Sequence, residues 1–358
     1  YNLLRVFLSF PIDLYIISSI YKYMAKIGEH RQKFASLDLK DRKILYELDA
    51  NARQSASEIG KKIGLSKQVV VYRIGKLLEM GIIQKFFAIL DTSRLGFTTY
   101  KIFIRLQNTD ISKQNEIIDY IKNNERIQFF ISTDGMFDLV FNVLAKDVNE
   151  LYAFIRELEN RYGNYIAEKE LVIMIFSTFF SRDYFFDKKP TQIRKSMFFG
   201  SEAVPIKIDK MDEAILSILG IDARTSVNDI AKKVNLNADT VGVRIKKLEK
   251  ARVIQNYAML PDFSLLNQGS YKVMFSLRNL TEEKEKSLME YSNTHPNIWF
   301  HSKSLGRWDL EMNMDVDNAS QFRNIMMEIK SNFSDVIKEY TTLQVSKIHK
   351  FNFYPFKV

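Results

Sequence analysis

Between residues 37 and 81, apolar residues recur three or four positions apart in three short runs, the period of a helix buried along one face. Ile44, Leu45 and Leu48 form the first run, behind Asp38 as N-cap with Asp41 three residues on. Ser55 and Glu58 make an S-x-x-E capping box that opens the second, with Ile59 and Ile63 inward and Gly64 as its stop. Ser66 caps the third, which buries Val70, Ile74, Leu77 and Leu78 and ends near Gly81. Two helices joined by a tight turn through a left-handed residue predict a helix-turn-helix, with the third helix as the one that enters a major groove. The period then shortens to two. Residues 82–90 suit a wing strand and 100–106 alternate as a half-buried strand does. Residues 113–122 read as helix, 127–131 and 137–145 as strands meeting near Gly135, 148–161 as helix and 167–176 as a last strand. That order is βαββαβ, a ferredoxin-like split unit.

The whole pattern occurs twice. Moved forward by 171 residues, 37–108 lies without a gap on 208–279: Asp38, Ile44, Ala52, Arg53, Val70, Arg73, Ile74 and Lys76 meet Asp209, Ile215, Ala223, Arg224, Val241, Arg244, Ile245 and Lys247. The same offset carries Gly135, Asp138 and Leu139 onto Gly306, Asp309 and Leu310, so the repeat is a two-part module produced by duplication. In the second copy Ser226 with Asp229, Asn235 and Asn237 replace Ser55 with Glu58, Gly64 and Ser66. Asn tolerates the left-handed turn and caps helices well, so the turn geometry is expected to persist. Arg252 in place of Gly81 removes the easy helix stop and adds a cation. Each sheet leaves one face without helices, and the other half of the same chain can cover it.

Composition sharpens this picture where charge is concerned. The net charge of +9 divides into +4 over 37–90, +2 over 208–261, −3 over each of 91–175 and 262–346, and +3 in each of 1–36, 176–207 and 347–358. Positive charge thus gathers on the helical triplets and the connectors, which points to a polyanion. The third helix supplies Lys67, Gln68, Tyr72, Arg73 and Lys76 on its outer face. Gln and Arg pair bidentately with base edges, while Lys mainly attracts phosphate. The second copy supplies Arg244, Lys246 and Lys247, but Ala238 and Asp239 stand where the first has Lys67 and Gln68. Asp repels phosphate, so the first head is expected to be the principal reader. Basic helix faces are also commonly just solvated, and the repeat is what favours the nucleic-acid reading.

Other classes recede. The chain has no cysteine, which excludes disulfides and Cys-based zinc sites and suits a reducing, cytoplasmic setting. The apolar run 1–23 is broken by Arg5, Pro11 and Asp13, too interrupted for a membrane helix, and reads as an extra helical extension or as sequence upstream of a start at Met24, with a dimerisation or membrane-touching helix as the alternative. There is no glycine-rich phosphate loop, H-E-x-x-H or nucleophile elbow, so no cofactor or metal site is expected. The joining segment mixes Phe176, Phe179, Phe180, Tyr184, Phe185, Phe186, Phe198 and Phe199 with Arg182, Lys188, Lys189, Arg194 and Lys195, and the tail repeats this composition. Its aromatics are expected to pack against a module and its cations to touch phosphate.

The Asp-x-x-Asp helix start, the Ala52-Arg53 pair, the third helix ending V-x-x-R-I-x-x-L-x-x-x-G-I-I and G-x-x-D-L on the third strand of βαββαβ resemble the Lrp/AsnC (feast/famine) transcription regulators. The resemblance covers 37–175 and again 208–346. It implies a non-enzymatic, sequence-specific regulator of double-stranded DNA, with one module for DNA and one for dimerisation, which in the family often also senses an amino acid, here as an intrachain pseudo-dimer. The fold expected is α+β: an extension at 1–36, winged helix-turn-helix domains at 37–91 and 208–262, βαββαβ domains at 92–175 and 263–346, a linker at 176–207 and a tail at 347–358. By position, Gly135, Met136, Asp138, Gly306, Arg307 and Asp309 match the family's effector loop, although a hairpin alone explains Gly and Asp there. Further homo-oligomerisation through the βαββαβ domains is an additional expectation; no membrane partner is expected. The same architecture resembles siroheme decarboxylases, an enzymatic alternative for which the chain offers His30, His295, His301 and His349.

Overall fold

The computed structural model describes residues 36–186, 194, 196–200 and 205–356. The N-terminal extension with His30, and Lys188, Lys189 and Lys195, lie outside the described residues. The first repeat runs α1 (Leu39–Ala50), α2 (Ala56–Ile63), α3 (Lys67–Glu79), β1 (Ile83–Leu90), β2 (Thr98–Leu106), α4 (Ile111–Asn123), β3 (Ile127–Gly135), β4 (Leu139–Ala145), α5 (Val148–Tyr162) and β5 (Ile166–Phe180). After the short β6 (Ser196–Gly200) the second repeat gives α6 (Lys210–Ile221), α7 (Val227–Val234), α8 (Ala238–Lys250), β7 (Ile254–Pro261), β8 (Gly269–Leu277), α9 (Glu282–Thr294), β9 (Ile298–Leu305), β10 (Leu310–Val316), α10 (Ala319–Asn332) and β11 (Ile337–Phe351).

The helix starts follow from their caps. Asp38 accepts from the Asp41 backbone at 2.8 Å and Ser55 from Glu58 at 3.2 Å, each with the reciprocal bond of a capping box. Asn237 caps α8 by accepting from Thr240 at 2.7 Å. Gly64 and Asn235 end α2 and α7 at φ 71° and 53°, so one left-handed turn is built from two residue types. Arg252, expected to weaken the stop that Gly81 provides, takes the left-handed conformation all the same: φ is 56° there and 74° at Gly81. Backbone bonds from Arg252 to the Glu249 carbonyl and from Val253 to the Leu248 carbonyl, both 2.9 Å, close the helix end in that conformation.

The strands close into a ring. Antiparallel neighbours run β2-β4-β3-β11-β8-β10-β9-β5, and β5 returns to β2, leaving β6 as a flap on the far end of β5. The long strands make the closure, because each serves both halves. β5 pairs with β2 of its own repeat and β9 of the other, and β11 with β8 of its own and β3 of the other. Both strands run past their expected ends, β5 to Phe180 and β11 to Phe351, into the joining segment and the tail. Alternation then sorts the side chains. Tyr100, Ile102 and Ile104 pack under α4 and α5, and Val273 and Phe275 under α9 and α10. The opposite face is interior, where Phe103, Ile131, Phe137, Met274, Trp308 and Leu343 from both repeats form one cluster. The helix-free faces are thus covered by the other half of the same chain.

Candidate nucleic-acid interface

The helical triplets are built on a shared core in which Ile44, Leu45, Leu48, Ile59 and Val70 meet Ile215, Leu216, Leu219, Ile230 and Val241 through β1 and β7. β1 and β7 pair antiparallel, Phe86 opposite Met259 and Ala88 opposite Tyr257. Two arginines lock the heads further. Arg53 Nη1 donates to the carbonyls of Ala223 (2.7 Å) and Thr225 (3.2 Å), and Arg224 Nη1 donates to those of Ala52 and Gln54 (3.1 Å). Each guanidinium also lies over an aromatic ring of the opposite wing, Tyr257 at 5.2 Å and Phe86 at 5.4 Å. The contacts of one head are those of the other shifted by the repeat offset, which is the signature of a local twofold relation.

On α3, Lys67, Gln68, Tyr72 and Lys76 are exposed, Tyr72 at 69%. Arg73 is placed differently. Its Nη1 lies 2.8 Å from Asp38 and 2.7 Å from Asp41, the two carboxylates of the α1 capping box, so the guanidinium ties the reading helix to the first helix. The Asp41 backbone N–H first, and Arg73 after it, hold the Asp38 carboxyl below the usual carboxylate range. Arg244 repeats the arrangement with Asp209 and Asp212. Lys246 and Lys247 of α8 are exposed, as is Asp239. Three valines that periodicity assigned to neither face are also exposed: Val69 and Val71 of α3 at 39% and 55%, and Val243 of α8, the repeat mate of Tyr72, at 67%. A valine open to solvent on a groove-facing helix is a surface for thymine methyl groups. Its signal in the sequence was an apolar residue beyond those the helical period requires.

The two Gly-x-x-Asp loops come together at the ends of the barrel strands, and their polar groups are already engaged. Asp138 accepts from the Leu106 backbone and Asp309 from Leu277, both at 2.7 Å. Arg307 pairs with Glu168 at 3.2 Å and points its Nη2 at the Met136 sulfur at 3.7 Å. A Cβ on Gly135 would meet Leu343 at 3.0 Å and the Thr342 carbonyl at 3.1 Å, and one on Gly306 the Leu171 carbonyl at 3.0 Å. Each glycine lets a loop of one repeat sit against the long strand of the other.

The described part of the joining segment is anchored by its arginines. Arg182 is buried between Asp49 of α1 (2.7 Å) and Asp315 of β10 (3.2 Å), over the Trp299 ring at 4.4 Å. Arg194 donates to the carbonyls of Ser181, Ser292, His295 and Ile298, so neither of these two arginines reaches outward to phosphate, contrary to the expectation for them. Phe179 and Phe199 pack inward as expected, and Phe87 of the wing meets Phe351 and Phe353 of the tail. Among the described histidines, His301 is buried against Ser292 Oγ at 2.8 Å, His295 follows the end of α9, and His349 meets Ser132 Oγ at 2.7 Å. They are scattered over three environments. Burial first, then Lys101, pushes His301 down to about 3, so it is neutral.

Residues 208–249 match the family model of the AsnC-type helix-turn-helix domain, and 37–84 that of a winged helix-turn-helix DNA-binding domain. The chain is similar to an HTH-type transcriptional regulator of Pyrococcus furiosus, 31% identical over 145 residues that make up 40% of this chain and 94% of that protein. It is 36% identical over 121 residues to the HTH-type transcriptional regulator Ptr1 of Methanocaldococcus jannaschii, 34% of this chain and 80% of the other. In fold it is similar to the siroheme decarboxylase NirDL, at 13% identity and a TM-score of 0.58 over 89% of this chain and 94% of that one. With 94% of a regulator covered at 31% identity, and a helix-turn-helix match in each repeat, the chain belongs to the Lrp/AsnC family of transcription regulators, carrying two modules in tandem.

Proposed function

We propose that this chain is a sequence-specific, cytoplasmic regulator that grips double-stranded DNA with both heads at once and catalyses no reaction. Lys67, Gln68, Val71, Tyr72 and Lys76 read one half-site, with the lysines on phosphate and Gln68 and Val71 toward base edges. Lys246, Lys247 and Val243 address the other. Arg73 and Arg244 are positioning residues that hold each reading helix to its capping box, and their removal weakens binding by loosening the helix. The observation that carries the reading is the pair of reciprocal arginine locks, which fix two similar heads in one twofold-related pose. Such heads engage half-sites about 10 bp, or a multiple, apart. Because Asp239 stands where Gln68 does, the preferred site is an imperfect palindrome whose stronger half belongs to the first head.

The Gly135–Asp138 and Gly306–Asp309 loops serve intrachain assembly in this reading, since their carboxylates and Arg307 are spent within the protein. We place the tetrapyrrole alternative second because the three described histidines lie in three separate environments and none lines the cavity between Lys101 and Lys272.

The test is binding of the purified chain to duplex fragments of its own promoter region across a salt series. Tight binding with a steep negative salt slope, flattened by about one unit in Lys76→Ala, is expected. No binding at low salt would sink the proposal, and a Soret shift on adding a tetrapyrrole would move the protein to the enzyme class.

A further inference from the structure

Duplication has placed two lysines inside the barrel and only one carboxylate to meet them. Lys101 of β2 and Lys272 of β8 are mates across the repeat, 2% and 3% exposed, while Glu311 of β10 has Val140 as its mate. Lys101 Nζ donates to Glu311 Oε2 and to Ser302 Oγ, both at 3.0 Å. Lys272 Nζ donates to Glu311 Oε1, with Asn313 Oδ1 at 3.4 Å. The cluster therefore carries one positive charge in excess. An unmatched charge buried this deeply costs several kcal/mol unless something compensates it. Each ammonium has three donors, and those three oxygen-bearing side chains do not exhaust six. The space beside the lysines is a cavity of about 40 Å³, lined also by Phe129, Phe300 and Asn313, with room for a solute larger than one water. Lys101 Nζ lies 5.2 Å from the Phe300 ring, and Gln128 and Asn142 add amide groups to the wall, so the two ammonium groups are what favours an anion there.

We propose that the barrel interior is a binding site for a small monoanion, a halide or a short monocarboxylate, held between Lys101 and Lys272 opposite Glu311. The site is distinct from the Gly-x-x-Asp loops and independent of DNA binding. Burial, with Lys272 adding repulsion and Glu311 opposing both, pushes Lys101 down to about 8, as a cation short of its counter-charge requires. The anion restores neutrality at the point where the two repeats meet. The aromatic wall continues through Phe351, which touches Phe87 of the wing.

The experiment follows thermal unfolding of the full chain in sodium sulfate at fixed ionic strength, with chloride, formate or acetate replacing sulfate. A saturable rise in Tm of several degrees is expected with at least one of the three, absent in Lys101→Met and steeper in Glu311→Gln. Chloride acting alone assigns a halide site, and formate or acetate acting with or without it assigns a carboxylate site. No saturable rise with any of them, or an equal rise in Lys101→Met, overturns the proposal. Should Lys101→Met fail to fold, ¹³C-formate exchange broadening by the unmodified protein, with chloride as competitor, decides: a sharp line together with no chloride-dependent Tm change overturns it.

Discussion

Replacing Arg53 with alanine removes two charge-assisted hydrogen bonds that cross from the first head to the backbone of the second. A hydrogen bond to a charged group contributes about 1.5–3 kcal/mol, and freezing an arginine side chain costs up to about 2 kcal/mol. The bonds lie at a part-buried site, so the lower figure applies, and the cation–π contact with Tyr257 adds about 0.5–1 kcal/mol. The net loss expected is about 2 kcal/mol for Arg53→Ala, and a similar loss for Arg224→Ala. Arg53→Lys falls between, because one ammonium cannot reproduce the planar fork. Urea unfolding measures the loss as a shift in midpoint at constant m-value. DNA binding gives a second readout specific to the lock. Affinity for a duplex with two half-sites falls up to about 10-fold in Arg53→Ala, while affinity for a single half-site is unchanged, because only the pre-set relation of the heads is lost. A stability change below about 0.5 kcal/mol together with unchanged two-site affinity would refute the lock.

Acid exposes the buried histidine: His301 holds a folded value near 3 against about 6.5 unfolded, so the unfolded chain binds the extra proton as pH falls between them. Stability is full above about 6.5 and declines toward 3, by about 2 kcal/mol between pH 7 and pH 5 from this residue, and His301→Phe, which restores the side chain of its repeat mate Phe130, flattens that decline in pH-dependent denaturation. Arg252→Gly relieves a left-handed residue at the end of α8. The αL cost of about 1–2 kcal/mol, less the roughly 0.5–1 kcal/mol entropic cost of glycine, leaves a gain of up to about 1.5 kcal/mol, read as a higher urea midpoint, and a decrease would show that the arginine side chain holds the turn.

Local pattern was enough to determine the helices, the left-handed turns and the repeat. Capping boxes such as Ser55 with Glu58, and apolar residues at helical or alternate spacing, are effects confined to a few neighbouring residues, which a linear sequence displays directly. The duplication likewise needs only the 171-residue offset between Asp38 and Asp209 or Gly135 and Gly306. Identifying outward residues such as Lys67, Gln68 and Lys76 follows from the same periodicity. What Arg73 does with its charge does not, because its partners Asp38 and Asp41 lie more than thirty positions away and only helix packing brings them to 2.8 and 2.7 Å. The reciprocal grip of Arg53 and Arg224, the inward anchoring of Arg182 and Arg194, and the two lysines sharing Glu311 are longer in range still. In each case the sequence shows a cation and the fold chooses its partner, a carboxylate or a backbone carbonyl, because such pairing depends on distance in space, to which separation along the chain is no guide.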